Sequence, residues 1–489
     1  IKRPSSTRAR SWISASLLGV AAAAALGLAI FTSTPSFAQD AVAAVPAAAE
    51  AVAAAPDATA APVAEETAAP APEAEPTPEM NKGDNAWMLI STVLVMAMII
   101  PGLGLFYGGL VRAKNMLSVL MQVTACAAIG MIAWVFWGYS LALTDGPLNA
   151  FVGGTSRLFL SGITTESTAT TFSSGYVLPE FTFIAFQMTF AAITAALVLG
   201  STVERMKFSG VVIFAVLWPL LSYYPLAHMV WYSTGFLFEM GALDFAGGTV
   251  VHINAGISGL VGALILGARR GYGTTHMPPH SLVMTLIGAG LLWVGWFGFN
   301  AGSNLEATAG ASLALINTIV ATAAAGLSWA LFEGVFKGKA SMLGLASGII
   351  TGLVAVTPAA GLIGPVGAIA LGFIVSPIAL FFCSTIKNAL KYDDSLDVFG
   401  IHGVGGIVGA LATGVLTAPS LGGVGAEDFN IGSQVMIQAT AVGVAIVWAA
   451  VASAIVFGLL KFIPGMRVSP EVEEEGLDIA EHGERAYHN

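Results

Sequence analysis

Two histidines stand out in a chain whose apolar stretches hold few ionisable groups. His252 lies in G-G-T-V-V-H-I-N-A-G (Gly247 to Gly256), and His402 lies in F-G-I-H-G-V-G-G (Phe399 to Gly406). A neutral imidazole offers one donor and one acceptor, so two rings brought together can hand on a proton or hold a small polar species. Their small neighbours let helices pack closely. The alternative is two unrelated core histidines, each bonded to a neighbouring helix. Ionisable groups inside apolar spans normally face a cavity or site, and the matched settings favour the paired reading. The other histidines carry less. His276 and His280 sit beside Pro278 and Pro279 and, with His482 and His488 in the tail, read as solvated. His228 reads as a structural hydrogen-bonding group.

Aromatic residues give the next signal. Phe186 and Phe190 are four residues apart and share a helix face. The string W-F-G-F-N-A-G-S runs from Trp296 to Ser303 and contains Phe299, while Trp231 ends another apolar run. Such rings pack, face lipid or anchor at an interface, and an aromatic face with a hydroxyl also suits a small cation. Spacing does not choose between these. Asp244 and Asp397 precede the two histidine helices, where capping is the ordinary role of a carboxylate. The glycines from Gly102 to Gly109 lack a preceding strand and a Walker lysine, so they read as helix packing and not as a nucleotide loop. Cys126 and Cys383 form no metal-ligand spacing. Neither a metal site nor a cofactor is expected.

The elements that must position these residues are membrane helices. Of 489 residues, 56% are hydrophobic and only 10% charged, whereas a soluble domain is about 25% charged. That excludes a soluble enzyme, and a formal net charge of −10 argues against nucleic acid as a partner. Apolar runs at 86–107, 119–143, 179–200, 209–232, 248–268, 281–300, 306–334, 341–357, 361–386, 400–417 and 434–460 predict eleven transmembrane helices. Loops after the odd-numbered helices carry Arg112 and Lys114, Arg205 and Lys207, Arg269 and Arg270, Lys337 and Lys339, and Lys387 and Lys391. The positive-inside rule makes these loops cytoplasmic, with the N-terminus outside and the C-terminus inside.

Residues 1–38 have basic residues, an apolar run and small residues at Ser36 and Ala38, the plan of a secretory signal peptide. Residues 39–81 are rich in Ala, Pro and acidic groups and read as a disordered linker. A membrane domain over 82–465 and an acidic tail over 466–489 complete the chain. A weak match between Asp244, Phe245 and His252 and Asp397, Phe399 and His402 hints at an inverted repeat of five plus five helices, followed by a final helix.

Four strings together resemble the ammonium transporter family. They are F-Y-G-G-L-V-R-A-K-N (Phe106 to Asn115), A-L-D-F-A-G-G-T-V-V-H-I-N (Ala242 to Asn254), G-W-F-G-F-N-A-G-S (Gly295 to Ser303) and D-V-F-G-I-H-G-V-G-G-I-V-G (Asp397 to Gly409). The resemblance implies an all-α polytopic membrane protein of eleven helices, a homotrimer with one pore per subunit, and a channel for ammonium. It implies an outer ammonium site of Phe186, Trp231 and Ser303, a gate of Phe190 and Phe299, and a relay of His252 and His402. Asp244, Thr357 and Trp296 would support these. The tail would dock on adjacent subunits, and a PII-type regulatory protein would bind the cytoplasmic face of a bacterial inner membrane. Rival readings are an ammonium sensor, a Rhesus-type gas channel and, more remotely, a haem-binding electron-transfer protein using the two histidines as axial ligands.

Overall fold

The computed structural model describes residues 78–462 and 465–487. The signal peptide expected over 1–38, all but the end of the linker expected over 39–81, and His488 lie outside the described residues. Among the described residues, ten helices are long and apolar enough to cross a membrane, and one further apolar helix is shorter. In chain order they are α1 (Lys82–Leu110), α2 (Ala113–Leu143), α3 (Glu180–Leu199), α4 (Phe208–Glu239), α5 (Gly248–Leu266) and α6 (Leu282–Gly302). There follow α7 (Ala309–Lys337), α8 (Met342–Val356), α9 (Pro365–Leu390), α10 (Phe399–Leu416) and α11 (Ile431–Phe462).

The eleven helices fall on the eleven apolar runs. The largest departures have local causes. α2 begins at Ala113 with one 3₁₀ turn before its α-helical part. α4 opens after Trp231, where Tyr232 is extended, and closes again over Phe236–Glu239. Asn81 caps α1 through Oδ1, which accepts from the N–H groups of Gly83 and Asp84. Just before it, β1 (Glu79–Met80) pairs parallel to β3 (Tyr176–Pro179), which pairs antiparallel to β2 (Thr168–Thr170). The last residues of the expected linker are therefore ordered against the loop between α2 and α3.

Burial follows position in the bundle. α3 and α5 are hydrophobic on all faces and mostly enclosed, as a helix at the centre of a bundle must be. α1, α2, α6, α7 and α11 turn more than half of their most apolar stretches outward, exposing Leu89, Val93, Ile132, Leu327 and Val447. Such faces suit lipid or another apolar surface and not water.

α5 and α10 are five crossings apart, so they run in opposite directions. They meet at Gly256 and Gly403, where a Cβ on Gly256 would lie 2.2 Å from the Gly403 nitrogen. No other residue type permits that approach. One turn or less before this crossing, each helix carries its histidine in a six-residue π turn, Gly248–Ile253 and Phe399–Val404. The wider turn shifts side-chain direction relative to the α-helix, a device common at functional sites.

The acidic tail is not a solvated strand of charge. Its short helices α12 (Pro470–Glu475) and α13 (Leu477–His482) lie against the chain's own loops. Asp478 Oδ1 accepts from Ser118 N–H at 2.8 Å and Glu481 Oε2 from Phe208 N–H at 2.9 Å. Two tail carboxylates thus satisfy orphan donors at the N-termini of α2 and α4, where the helix dipoles favour negative charge. His280, expected to be solvated, donates from Nδ1 to the Val111 carbonyl and contacts the Tyr487 hydroxyl through Nε2.

Candidate functional site

The two histidines come together. His402 Nδ1 lies 3.2 Å from His252 Nδ1, and the ring centroids are 5.3 Å apart with 26° between planes. Two like nitrogens at hydrogen-bond distance must share one proton, so one ring donates and the other accepts. Both rings are buried, and among the described residues His252 Nε2 has no hydrogen-bond partner. Around them is a narrow cavity lined also by Met98, Leu103, Phe106, Ile193 and Phe299 among others, with no charged side chain. The separation does not suit axial ligation of one iron, since a metal between two imidazoles at about 2 Å each needs roughly 4 Å between nitrogens.

Aromatic rings continue the column. Trp296 stacks on His252 with centroids 5.3 Å apart and 22° between planes. Phe299 stacks on Phe190 at 4.1 Å and 16°. Phe190 in turn meets Phe186 at 4.9 Å and Trp231 edge-on at 6.0 Å. The Trp231 indole N–H donates to the Asp244 carbonyl at 3.0 Å, which fixes its plane. Ser303 ends α6, and its hydroxyl donates to the Phe299 carbonyl at 2.7 Å. Its proton being committed, the oxygen keeps only acceptor capacity. The Thr357 hydroxyl accepts from the Trp296 indole N–H at 2.9 Å and donates to the Leu353 carbonyl at 2.7 Å. Thr357 thereby aims the ring that packs on His252.

Carboxylates hold the starts of both histidine helices. Asp244 accepts from Gly247 N–H at 3.2 Å and from Thr249 and Val250 N–H at 3.0 Å each. Gly247 bends the chain with φ +108°, a conformation open to glycine, and lies against Trp231 and Val251. Burial pushes the Asp244 carboxyl up to about 6 against the opposing pull of these backbone donors. The counterpart on the other half is not Asp397. That residue is turned aside at φ +59°, and its carboxylate pairs with Lys387 at 2.7 Å. Asp394 caps instead, accepting from Phe399 N–H at 2.8 Å. Asp244 and Asp394 each precede their histidine by eight residues, and each accepts from the residue five positions on, Thr249 and Phe399. That spacing was the signal for Asp394 in the sequence, hidden by the nearer match of Asp397. Asn300 was also missed; it donates to Thr318 at 2.9 Å and lies 3.3 Å from the Thr357 hydroxyl.

On the face that carries the tail, the paired basic residues are tied down. Glu204 accepts from Arg112 at 3.0 Å and from Arg269 at 2.7 Å, and Arg269 also bonds Asp393 at 2.8 Å. Burial works to raise the Glu204 pKa, but Arg269 and Arg112 outweigh it and bring the carboxyl down to about 2. Arg205 is fully buried and donates to the carbonyls of Ser201, Val203, Gly267 and Asp393.

Residues 86–487 match the model of the Ammonium Transporter Family. The chain is 47% identical over 413 residues to an ammonium transporter of Aquifex aeolicus, covering 84% of this chain and 94% of that protein. It is 40% identical over 410 residues to an ammonium transporter of Bacillus subtilis, covering 83% and 99%. Among solved structures, a sensor Amt protein superposes with a TM-score of 0.75 at 28% identity, covering 82% of this chain and 98% of that one. Mep2 of Saccharomyces cerevisiae gives 0.70 at 32% identity, covering 80% and 91%.

Proposed function

This chain belongs to the ammonium transporter family, and from that premise we propose that it recruits ammonium at the aromatic mouth and passes it inward as ammonia plus a separately relayed proton. Phe186 and Trp231 offer ring faces to the cation, and Ser303 offers the acceptor lone pair that an N–H of ammonium needs. Phe190 and Phe299 close the way below as a stacked gate. Beyond it the cavity holds no charge, and an ammonium ion entering there would pay a large desolvation penalty without a counter-charge. Ammonium avoids the penalty by giving up a proton. Neutral ammonia crosses between the rings while the proton moves along the His252–His402 contact, and the two recombine on the far side. Potassium carries no proton to give, so the same dry cavity rejects it.

The observation that carries this reading is the 3.2 Å contact between His252 and His402 inside an uncharged cavity. It favours proton transfer over axial ligation of a haem iron, while Trp231 with Ser303 favours cation recruitment over a gas channel. Asp244, Thr357 and Trp296 act as supports, the first by capping α5 and holding Trp231 through its carbonyl, the others by orienting the ring stack.

The same reading takes residues 1–38 as a signal peptide, 39–81 as an outer linker and 82–465 as the transporter domain. The tail-side face is then cytoplasmic, in a bacterial inner membrane. Basic pairs on that face support the orientation. Trimer formation and a PII-type partner at the tail-side mouth complete the proposal. Ammonium-evoked current in proteoliposomes is the test. A purified protein that gave no current with ammonium, at any gradient, would sink the transport reading.

A further inference from the structure

His228 is completely buried near the end of the first stretch of α4, three residues before Trp231. Its Nδ1 lies 3.0 Å from the Ala142 carbonyl, and its Nε2 lies 2.6 Å from the Asn149 carbonyl. A carbonyl oxygen only accepts. A neutral imidazole has one N–H, so either neutral tautomer would set a nitrogen lone pair against an oxygen lone pair in a buried site. Only the imidazolium, with both nitrogens protonated, satisfies the two contacts.

The surroundings suit a cation. The Tyr232 ring stacks on the imidazole at 4.8 Å and 25°, a cation–π arrangement. Asn149, whose carbonyl receives the His228 proton, donates from its side-chain amide to Asp145 Oδ1 at 2.9 Å. The exposed Asp145 carboxylate is thus linked to the ring through Asn149. The two carbonyls belong to the end of α2 and the loop after it, and Phe236 N–H adds one more bond to that loop at Ala150. The loop is thereby strapped to the helix end that presents Trp231.

We propose that His228 is a positioning residue, an imidazolium clamp that holds the α2 loop against α4 and so fixes the Trp231 indole for ammonium recruitment. The proposal rests on the reading of Trp231 as the recruitment site. It lies outside the His252–His402 relay and touches neither the cavity nor the permeating species.

His228→Gln keeps one amide that can donate but cannot span both carbonyls. Ammonium current against ammonium concentration in proteoliposomes should show the half-saturating concentration raised about tenfold, the scale of one lost hydrogen bond to a charged group, with the maximal current little changed. Trp231→Leu is measured beside it. If Trp231→Leu raises the half-saturating concentration and His228→Gln does not, the clamp is wrong and the recruitment site stands. If Trp231→Leu changes nothing, no site exists to be positioned, and both fail. Nitrogen-15 NMR of histidine-labelled wild-type protein, with the His228 signal identified by its absence in His228→Gln or by its Tyr232 ring-current shift, reads the charge without need of an active variant. Two protonated ring nitrogens support the clamp; a neutral tautomer overturns it.

Discussion

Twelve side chains, His252 and His402 among them, line the histidine cavity, and none has a fixed charge. On the tail-side face Arg112, Glu204, Arg269 and Asp393 form one chain of ion pairs, each at 3.0 Å or less. Both regions lie within the protein, yet one is stripped of charge and the other filled with it. Glu204 and Asp393 are buried at 1% and 2% exposure, and they remain ionised because each has a fixed partner of opposite sign. A permeating ammonium would meet no such partner in the cavity. Buried charge is tolerated where it is paired for good, and a site for transit cannot pair its cargo for good without trapping it. On the proposed function, the difference between the two regions is the difference between a structural joint and a conduit.

Removing one side of the joint gives the largest effect. Glu204→Ala leaves Arg112 and Arg269 without their shared carboxylate and should cost about 3–5 kcal/mol, read as a large fall in the unfolding midpoint in detergent. A fall no larger than that of an exposed control such as Glu427→Ala would break the contrast. The same carboxyl sets an acid limit. Its folded pKa, about 2, lies below the ordinary 4.5, so its stabilisation is complete above 4.5 and is lost as pH falls through that value toward 2. Wild type should therefore lose stability over this window more steeply than Glu204→Gln. Parallel curves would contradict the pairing.

Within the ring column effects are smaller. Thr357→Val strands the Trp296 indole N–H, a loss of about 1–3 kcal/mol, and loosens the ring stacked on His252. Unchanged stability and unchanged current together would show that the hydroxyl does not orient Trp296. Smaller still is the difference between the two caps. Asp244 holds three backbone donors and Asp394 one, so Asp244→Ala should be the costlier, near the upper end of the ~0.5–2 kcal/mol range for caps. The reverse order would mean that the two halves are held differently from what the hydrogen bonds indicate.

The membrane helices were legible because each needs a long apolar run, and eleven such runs have little else they can form. The histidine pair was legible for a different reason. His252 and His402 are the ionisable residues set among glycines in mid-span, and glycine there marks a close crossing, realised at Gly256 and Gly403. Asp394 was not legible. A capping carboxylate is chosen by backbone direction, and Asp397, nearer to His402 and next to the same helix, is removed only by its positive φ and by Lys387. The tail's order was legible only through the family resemblance. Charge alone does not reveal that the N-termini of α2 and α4 lie within reach of Asp478 and Glu481. Nor does periodicity distinguish an aromatic that faces lipid from one that stacks; Phe190 and Phe299 sit on different helices, and their 4.1 Å contact exists only in three dimensions.

The most direct test of the conduit is to remove both rings. With His252→Ala and His402→Ala combined, ammonium and potassium currents are compared in proteoliposomes under matched gradients. Loss of selective ammonium current, whether by collapse of the current or by entry of potassium, is the predicted result. Normal ammonium current with potassium still excluded would contradict the account.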